Sequence, residues 1–378
     1  MLYCKNCGAP VGENDRFCIS CSSRLSSSTV VTKAGLSRIA AESTEFSADA
    51  ISEPDLTGCS VMGMRLTEKL FSFMGADHYR AVKDNGEECI PLMVRHITFP
   101  GSIDRDCAML NNFADPAAAG SLCKAFTEAV AREEVSFSVA CATAGVPALN
   151  YRTEVHYSEL YDVYHIFMLM KYAVPLPLFA RQQQLTVRDA LEFGAVISDM
   201  ILKLEKSQLR YGPFSDCMVY VSGGQAAEKA PAQDRPAYSR TFYLDCRFAR
   251  CYEKFLPMSS YMSYFRQYVS PKRGYYEVYS LAMVLYRLLS GFRHPYIRHR
   301  GTVSSEEFMQ AEKLRVMMTE PVPADCLQNT IGAVIKDAIS RSSHEVSLSE
   351  LNRILVNSIN YVQSAELNRK LIFDGTVG

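Results

Sequence analysis

The chain has 378 residues, carries 40 Lys and Arg against 41 Asp and Glu, and is 48% hydrophobic. This length suits a small module followed by one large domain, and the apolar fraction suits a chain that buries a core. Because the charges nearly cancel, the composition excludes a surface that coats nucleic acid by charge alone.

The 13 cysteines do not indicate a secreted protein held together by disulfides. Their number is odd, and nine of them are scattered through the apolar-rich body of the chain. Met1 is followed almost at once by Cys4, Lys5 and Asn6, which does not fit a signal peptide. No stretch approaches the roughly 20 apolar residues that cross a bilayer. We therefore expect a cytoplasmic protein without a membrane segment.

Two cysteine pairs come first along the chain, Cys4-x-x-Cys7 and Cys18-x-x-Cys21, with ten residues between them. Two residues between cysteines let both sulfurs turn toward one ion, and two such pairs complete a tetrahedral site with Zn–S distances of ~2.3 Å. Four thiolates leave no open position for water, so the pattern predicts a structural zinc and not a catalytic one. Two disulfides are the alternative that the spacing leaves open.

The run from Cys7 to Cys18 resembles the short zinc-ribbon modules at the start of many bacterial proteins. The resemblance covers residues 1–24 and implies a structural or docking role. Residues 25–61, which follow, are rich in Ser and Thr and contain few large apolar side chains. Such a composition cannot bury enough surface to offset its ordering entropy, so it predicts a flexible linker.

After the linker, the apolar pattern favours strands first and helices later. Asp84-Asn85-Gly86 between two apolar runs indicates a hairpin, and a long helix is predicted over Ala117–Ala140. The apolar positions of that helix are Leu122, Phe126, Val130, Val135 and Val139. The predicted strands are Arg65–Phe73, Tyr79–Val82, Cys89–Phe99, Val155–Tyr157 and Val163–Tyr172. The predicted later helices are Val187–Lys206, Tyr276–Leu289, Ser305–Met318, Cys326–Ser340 and Ser347–Ser358. This order predicts an α+β body.

Several runs in this order resemble a protein kinase over residues 62–360. Tyr79–Glu88 and Leu92–Ile97 resemble the second and third strands of the kinase small lobe, and Tyr164–Tyr172 resembles the fifth. Val278–Gly291 is very similar to the large-lobe helix that follows the activation segment. The resemblance implies a protein-kinase-like bilobal domain, with a sheet-rich small lobe and a helical large lobe, preceded by the small zinc ribbon. Residues beyond 360 are then a C-terminal tail, 361–378.

The same resemblance implies where ATP and magnesium would bind. Arg95 takes the place of the lysine on the third strand, and Glu134 is the best match for the helix glutamate that pairs with it, ahead of Glu133. Met170 falls at the gatekeeper position, and Asp245 falls at the metal-binding aspartate. The arginine keeps the charge, but its wide planar fork does not replace the point charge of a lysine.

Other positions that phosphoryl transfer needs are changed. The loop between the first two strands carries three glycines in the family, whereas Phe71–His78 contains only Gly75. Alignment on the strand that starts at Val219 places Tyr211–Pro213 at the His-Arg-Asp triplet and Met218 at the metal-binding asparagine. A proline cannot accept the proton of a substrate hydroxyl, and a methionine is a poor magnesium ligand.

These changes favour a catalytically silent pseudokinase that acts as a scaffold or regulator through protein partners, with the ribbon as a second contact surface. One alternative is an atypical active ATP-dependent Ser/Thr kinase-like phosphotransferase, for which Asp216 could be a shifted base. A second alternative is nucleic-acid binding through the ribbon. Its basic residues Lys5, Arg16 and Arg24 give little phosphate affinity, so the sequence does not favour it.

Overall fold

The computed structural model describes residues 2–4, 10–11, 30–32, 55–83, 92–100, 116–223, 240–246, 265–270, 276–298, 304–317, 321, 330–339 and 346–373. The chain divides into two compact units, one made of residues 1–135 and 150–172, the other of residues 136–149 and 173–378. None of the described helices combines the length and the apolar character that crossing a bilayer requires.

A three-stranded antiparallel sheet in the first unit contains the first cysteine of the predicted zinc site. Its strands are β1 (Leu2–Cys4), β2 (Pro10–Val11) and β3 (Val30–Thr32), with β1 in the middle. Cys4 is paired with Val30 across β1 and β3. Strand β3 lies inside residues 25–61, so this part of the predicted linker is a paired strand and not a tether. The outer limits of the domains stay predictions.

A six-stranded antiparallel sheet makes up most of the described part of the first unit. Its strands are β4 (Ser60–Val61), β5 (Met64–Phe73), β6 (Ala76–Lys83), β7 (Leu92–Pro100), β8 (Asn150–Ser158) and β9 (Val163–Lys171), in the order β4-β5-β6-β7-β9-β8. The predicted strands are confirmed, although β8 is longer than expected, and the Asp84-Asn85-Gly86 turn lies outside the described residues. Leu56 and β4 belong to the same core as β5, so this body begins before residue 62.

The buried stripe of helix α1 (Pro116–Ala144) agrees with the prediction at Phe126 and Val130 and differs from it further along the helix. The residues of the buried stripe are Phe126, Val130, Glu134, Phe137 and Cys141. They recur every three or four residues, as one face of a helix requires. Val135 and Val139 are exposed, which corrects the prediction that placed them on the apolar face. The step from Val130 to Val135 is one residue too long for a helical period, and the buried stripe passes through Glu134 instead.

The second unit is mainly helical. Its helices after α1 are α2 (Leu176–Gln182), α3 (Val187–Lys206), α4 (Tyr276–Ser290), α5 (Ser305–Val316), α6 (Thr330–Ile339), α7 (Leu348–Tyr361) and α8 (Ser364–Leu367). A small antiparallel sheet has the order β10-β11-β12, with strands Val174–Pro175, Val219–Gly223 and Arg240–Leu244. The predicted α+β class, with strands early and helices late, is confirmed.

Helix α3 begins at the predicted residue because the chain carries a capping box there. The Thr186 hydroxyl accepts a hydrogen bond from the Asp189 N–H, and the Asp189 carboxylate accepts one from the Thr186 N–H. Gly194 lets α3 lie close to its neighbours, since a Cβ there would stand 2.7 Å from Leu285 Cδ2 on α4 and 3.1 Å from Leu355 Cδ1 on α7. Helix α4, buried from Val278 to Ser290, forms the centre of this unit.

Candidate functional site

Of the four predicted zinc ligands, Cys4 lies in the small three-stranded sheet. Cys4 ends β1, which pairs with β2 and β3. Cys7, Cys18 and Cys21 lie outside the described residues. A donor set of four cysteines in two C-x-x-C pairs fits a structural Zn²⁺, since thiolates are its usual ligands in closed tetrahedral sites.

The turn between β5 and β6 stands where the family has its phosphate-covering loop. Only Met74 and Gly75 connect the strands, both with positive φ, at 51° and 74°. Such a pair is typical of a type I′ hairpin. Cross-strand pairing runs up to Phe73 and Ala76, the residues that flank the turn. Cross-strand pairing between β5 and β6 therefore continues up to the two-residue turn. This turn contains no glycine-rich loop whose backbone amides could surround a phosphate.

The side chains near this turn also disfavour an anion. The Asp77 carboxylate accepts a hydrogen bond from Ser72 Oγ at 2.6 Å and pairs with Lys69 Nζ at 2.9 Å. A carboxylate repels phosphate, and the nearest cation is already paired with it. On the other face of the hairpin, the rings of Phe71 and His78 stack with centroids 4.4 Å apart.

Arg95 lies on β7, where the resemblance places a nucleotide-binding cation, and its side chain is 3% exposed. Its Nε and Nη2 donate to Met168 Sδ at 3.2 and 3.0 Å. A thioether is a weak acceptor. His78 is opposite Arg95 in the β6–β7 register. Burial, with the Arg95 charge as a second cause, lowers the pKa of His78 to about 3, so the imidazole is neutral beside the guanidinium.

The other predicted pocket residues of the first unit are buried as well. Met170 is the second-last residue of β9, is fully buried, and pairs with Met93 on β7. Since Met168 and Met170 are two residues apart on one strand, they share a face of the sheet with Arg95. Glu134 is 2% exposed on α1, whereas Glu133 is only partly buried, which favours Glu134 as the residue that matches the family glutamate.

The predicted catalytic loop is held by hydrogen bonds within the second unit. Tyr211 Oη donates to the Asp245 carbonyl at 2.8 Å. The Gly212 N–H donates to Glu277 Oε1 at 2.9 Å. The Phe214 N–H donates to Ser280 Oγ at 3.1 Å. Both acceptor side chains are on α4, so this helix fixes the loop.

Asp216, the residue proposed as a shifted base, lies where a substrate hydroxyl cannot reach it. It is fully buried, and its Oδ2 lies 3.5 Å from Nε of Arg287 on α4, which is also buried. Cys217 Sγ donates to its other carboxylate oxygen at 3.4 Å. Nor can Pro213 act as a base, because its side chain has no acceptor. This part of the loop is a structural anchor.

Asp245 follows β12, where the resemblance places a metal-binding aspartate. Its N–H donates to the Met218 carbonyl at 2.8 Å, and its Oδ1 accepts from the Cys246 N–H at 2.9 Å. Both Asp245 and Met218 are buried. The predicted alignment of the two loops is consistent with the backbone contact between these residues. Asp245 keeps a carboxylate, but Met218 supplies no oxygen ligand beside it.

A second anchor, which the sequence analysis missed, involves two charged side chains and a histidine. Arg315 on α5 donates to the Val269 carbonyl at 3.1 Å and to Glu312 Oε2 at 2.9 Å. His294 Nε2 lies 2.8 Å from the other oxygen of Glu312. Arg287 and Arg315, both buried, fix elements on either side of the loop. A signal for Arg287 was present, since it is the one charged residue in the apolar run Val278–Ser290.

Comparisons with known proteins divide the chain in the same way. Residues 3–25 match the family model of the zinc-ribbon domain. A search of curated proteins gave no match. Two solved structures to which the chain is similar are mutants of the PknI kinase domain of Mycobacterium tuberculosis. The double mutant is 12% identical with a TM-score of 0.46, and the match covers 81% of this chain and 100% of that chain. The single mutant is 11% identical with a TM-score of 0.45, with 81% and 99% covered. The chain thus carries a zinc-ribbon sequence at residues 3–25.

Proposed function

We propose that this protein is a catalytically silent, kinase-like scaffold or regulator, and that it acts by binding protein partners through its body and its zinc ribbon. The observation that carries the proposal is the loop Tyr211–Met218, which is fixed by hydrogen bonds although its catalytic positions hold Pro213 and Met218. Selection for a rigid framework without selection for phosphoryl transfer explains this combination.

The β5–β6 turn supports the same proposal. Phosphoryl transfer depends on positioning and on charge stabilisation around the transferred group. Here the turn at Met74 and Gly75 has no free glycine-rich backbone, and Asp77 adds a negative charge close to it. The changes at this turn add to those at Pro213 and Met218 in the predicted catalytic loop. No single substitution could therefore restore a positioned transition state.

Nucleotide binding gives the first test. We expect no change of melting temperature on adding magnesium and ATP to about 1 mM, because an affinity useful in the cell would raise it at that excess. We also expect no transfer of labelled phosphate to the protein or to a generic substrate, with an active kinase run in parallel. Transfer that disappears in Asp245→Asn or Asp216→Asn would overturn the proposal in favour of an atypical phosphotransferase.

The ribbon gives the second test. Wild-type protein is expected to bind one equivalent of zinc by elemental analysis, and a Cys4→Ser/Cys7→Ser variant is expected to bind none, because two thiolates do not complete the site. The variant should lose a partner that the wild-type protein captures, while its far-ultraviolet circular dichroism stays that of the folded body. Equal capture by both proteins would remove the ribbon from the interaction.

A further inference from the structure

Strand β8 is an outer strand of the six-stranded sheet, and it carries a row of exposed apolar side chains. Among the described strands it pairs only with β9. Along β8 and the turn after it, the exposed residues are Tyr151, Val155, Tyr157, Leu160 and Tyr161, each between 37% and 68% exposed. An outer strand offers backbone donors and acceptors to another strand, so an apolar one is a candidate for strand addition.

The part of β8 that can add a regular strand is well defined. The register with β9 shifts between Asn150 and Arg152, which marks a bulge at the start of β8. From Arg152 to Ser158 the pairing with β9 is continuous, and Val155 is the central residue of that segment.

This segment is complementary to a second copy of itself that runs in the antiparallel direction. In an antiparallel pair centred on Val155, each Glu154 faces His156 of the other strand, and each Tyr157 faces Thr153. Val155 faces its own copy. Ser158 is fully buried, so the pairing ends at Tyr157. Directly opposed aromatic and β-branched side chains stabilise such a pair of strands, and an imidazole can donate a hydrogen bond to the carboxylate opposite it. No like charges are directly opposed in this register.

The side chains of β8 are already arranged on its two faces by contacts within the chain. Arg152 and His156 both contact the Glu154 carboxylate from the same face of the strand. On the opposite face, Tyr157 lies over Tyr164 with ring centroids 4.6 Å apart, and its hydroxyl donates to Asp162 at 2.6 Å. Its ring is therefore held in place before any partner arrives, which reduces the entropy lost on association.

We propose that β8 is a homodimer interface, in which Thr153–Tyr157 pairs antiparallel with the same segment of a second copy about a two-fold axis at Val155. An isologous contact of this kind needs only one self-complementary patch. The alternating signs of Arg152 and Glu154 fit a second copy better than a uniformly charged peptide. The interface is small, so the dimer is weak and forms at micromolar concentrations or above. It does not depend on whether the protein transfers phosphate.

Charge reversal and charge exchange test the pairing. In sedimentation equilibrium at up to about 100 µM, wild-type protein should show a monomer–dimer equilibrium. Glu154→Lys, which places a cation opposite His156, should raise the dissociation constant about tenfold or more. The exchange Glu154→His/His156→Glu keeps each carboxylate opposite an imidazole and should restore dimers. A monomeric wild-type protein would overturn the proposal, as would an exchange variant no better than Glu154→Lys.

Cysteine crosslinking tests the register. Val155→Cys places two thiols opposite each other at the axis, at a Cβ separation of about 4.5–5.5 Å, so mild oxidation should link residue 155 to residue 155, identified by peptide mass spectrometry. Thr153→Cys is the matched control, because in this register the two copies of residue 153 are four residues apart along the strands. A link at 153 without one at 155, or no link in either variant, would contradict the proposed axis.

Discussion

Replacing Arg287 with methionine is expected to lower the free energy of unfolding by about 3–5 kcal/mol, the cost of leaving a buried charge without its partner. Asp216 is fully buried and Arg287 nearly so, and their charged atoms lie 3.5 Å apart. Methionine fills much of the volume of the arginine stem but cannot compensate the carboxylate. Urea denaturation followed by circular dichroism measures the change.

A double-mutant cycle separates the ion pair from packing. Asp216→Asn alone removes the carboxylate that lies beside the buried Arg287 guanidinium and should also be strongly destabilising. The Asp216→Asn/Arg287→Met double variant removes both charges, so its loss should be smaller than the sum of the single losses by more than about 1 kcal/mol. Additive losses would mean that the two side chains do not interact. A large coupling would identify Asp216 as a structural residue.

The second large effect is a loss of stability in acid, caused by two buried histidines of the six-stranded sheet. Burial lowers the pKa of both His78 and His96 to about 3. His78 is paired with Arg95 across β6 and β7, and the charge of Asp77 also acts on it. Its ring stacks on Phe71. His96 Nε2 lies 3.0 Å from His165 Nδ1, and Asp77 and Lys69 act on it from β6 and β5.

The sign follows from which state takes up the protons. The unfolded histidines have a pKa near 6.5 and the folded ones near 3, so between these values only the unfolded state gains protons. Stability is full above pH 6.5, falls as the pH is lowered and levels off below about 3. At pH 5 the loss is of the order of 2 kcal/mol for each histidine. Urea titrations across this pH range measure it.

A His78→Gln/His96→Gln variant tests the assignment. Its stability at about pH 8, where both histidines of the wild-type protein are neutral, gives the cost of the substitutions apart from titration. Relative to that value, its loss on acidification should be smaller than that of the wild-type protein. Some loss should remain, because burial also lowers the pKa of His294 in the second unit. An unchanged loss would show that other groups cause the acid sensitivity.

Local signals predicted the elements well because each lies within a few residues. The start of α3 was correct because Thr186 and Asp189 form a capping box that is visible in the sequence. The prediction that Val135 and Val139 lie on the buried face of α1 was wrong, because a valine is apolar whether it is buried or exposed. Only the packed structure distinguishes exposed Val135 from buried Glu134.

The candidate site was predicted only as far as its residues match a family pattern. Substitutions such as Pro213 and Met218 can be identified by alignment alone. The Asp216–Arg287 pair and the His96–His165 contact join residues distant in sequence, and their meaning depends on burial. No composition or period contains that information. The contact of Gly212 with Glu277 likewise joins residues that are distant in sequence.

The two-residue connection between β5 and β6 limits how this protein could change by mutation. Substitutions at Met74 and Gly75 would leave β5 and β6 paired up to the connection, since Phe73 already pairs with Ala76. To free backbone amides for a ligand, the chain would have to gain residues at this connection or lose several cross-strand pairs between β5 and β6. Contact surfaces of this protein can change by point substitution, but a glycine-rich phosphate-binding loop at this connection would require an insertion as well.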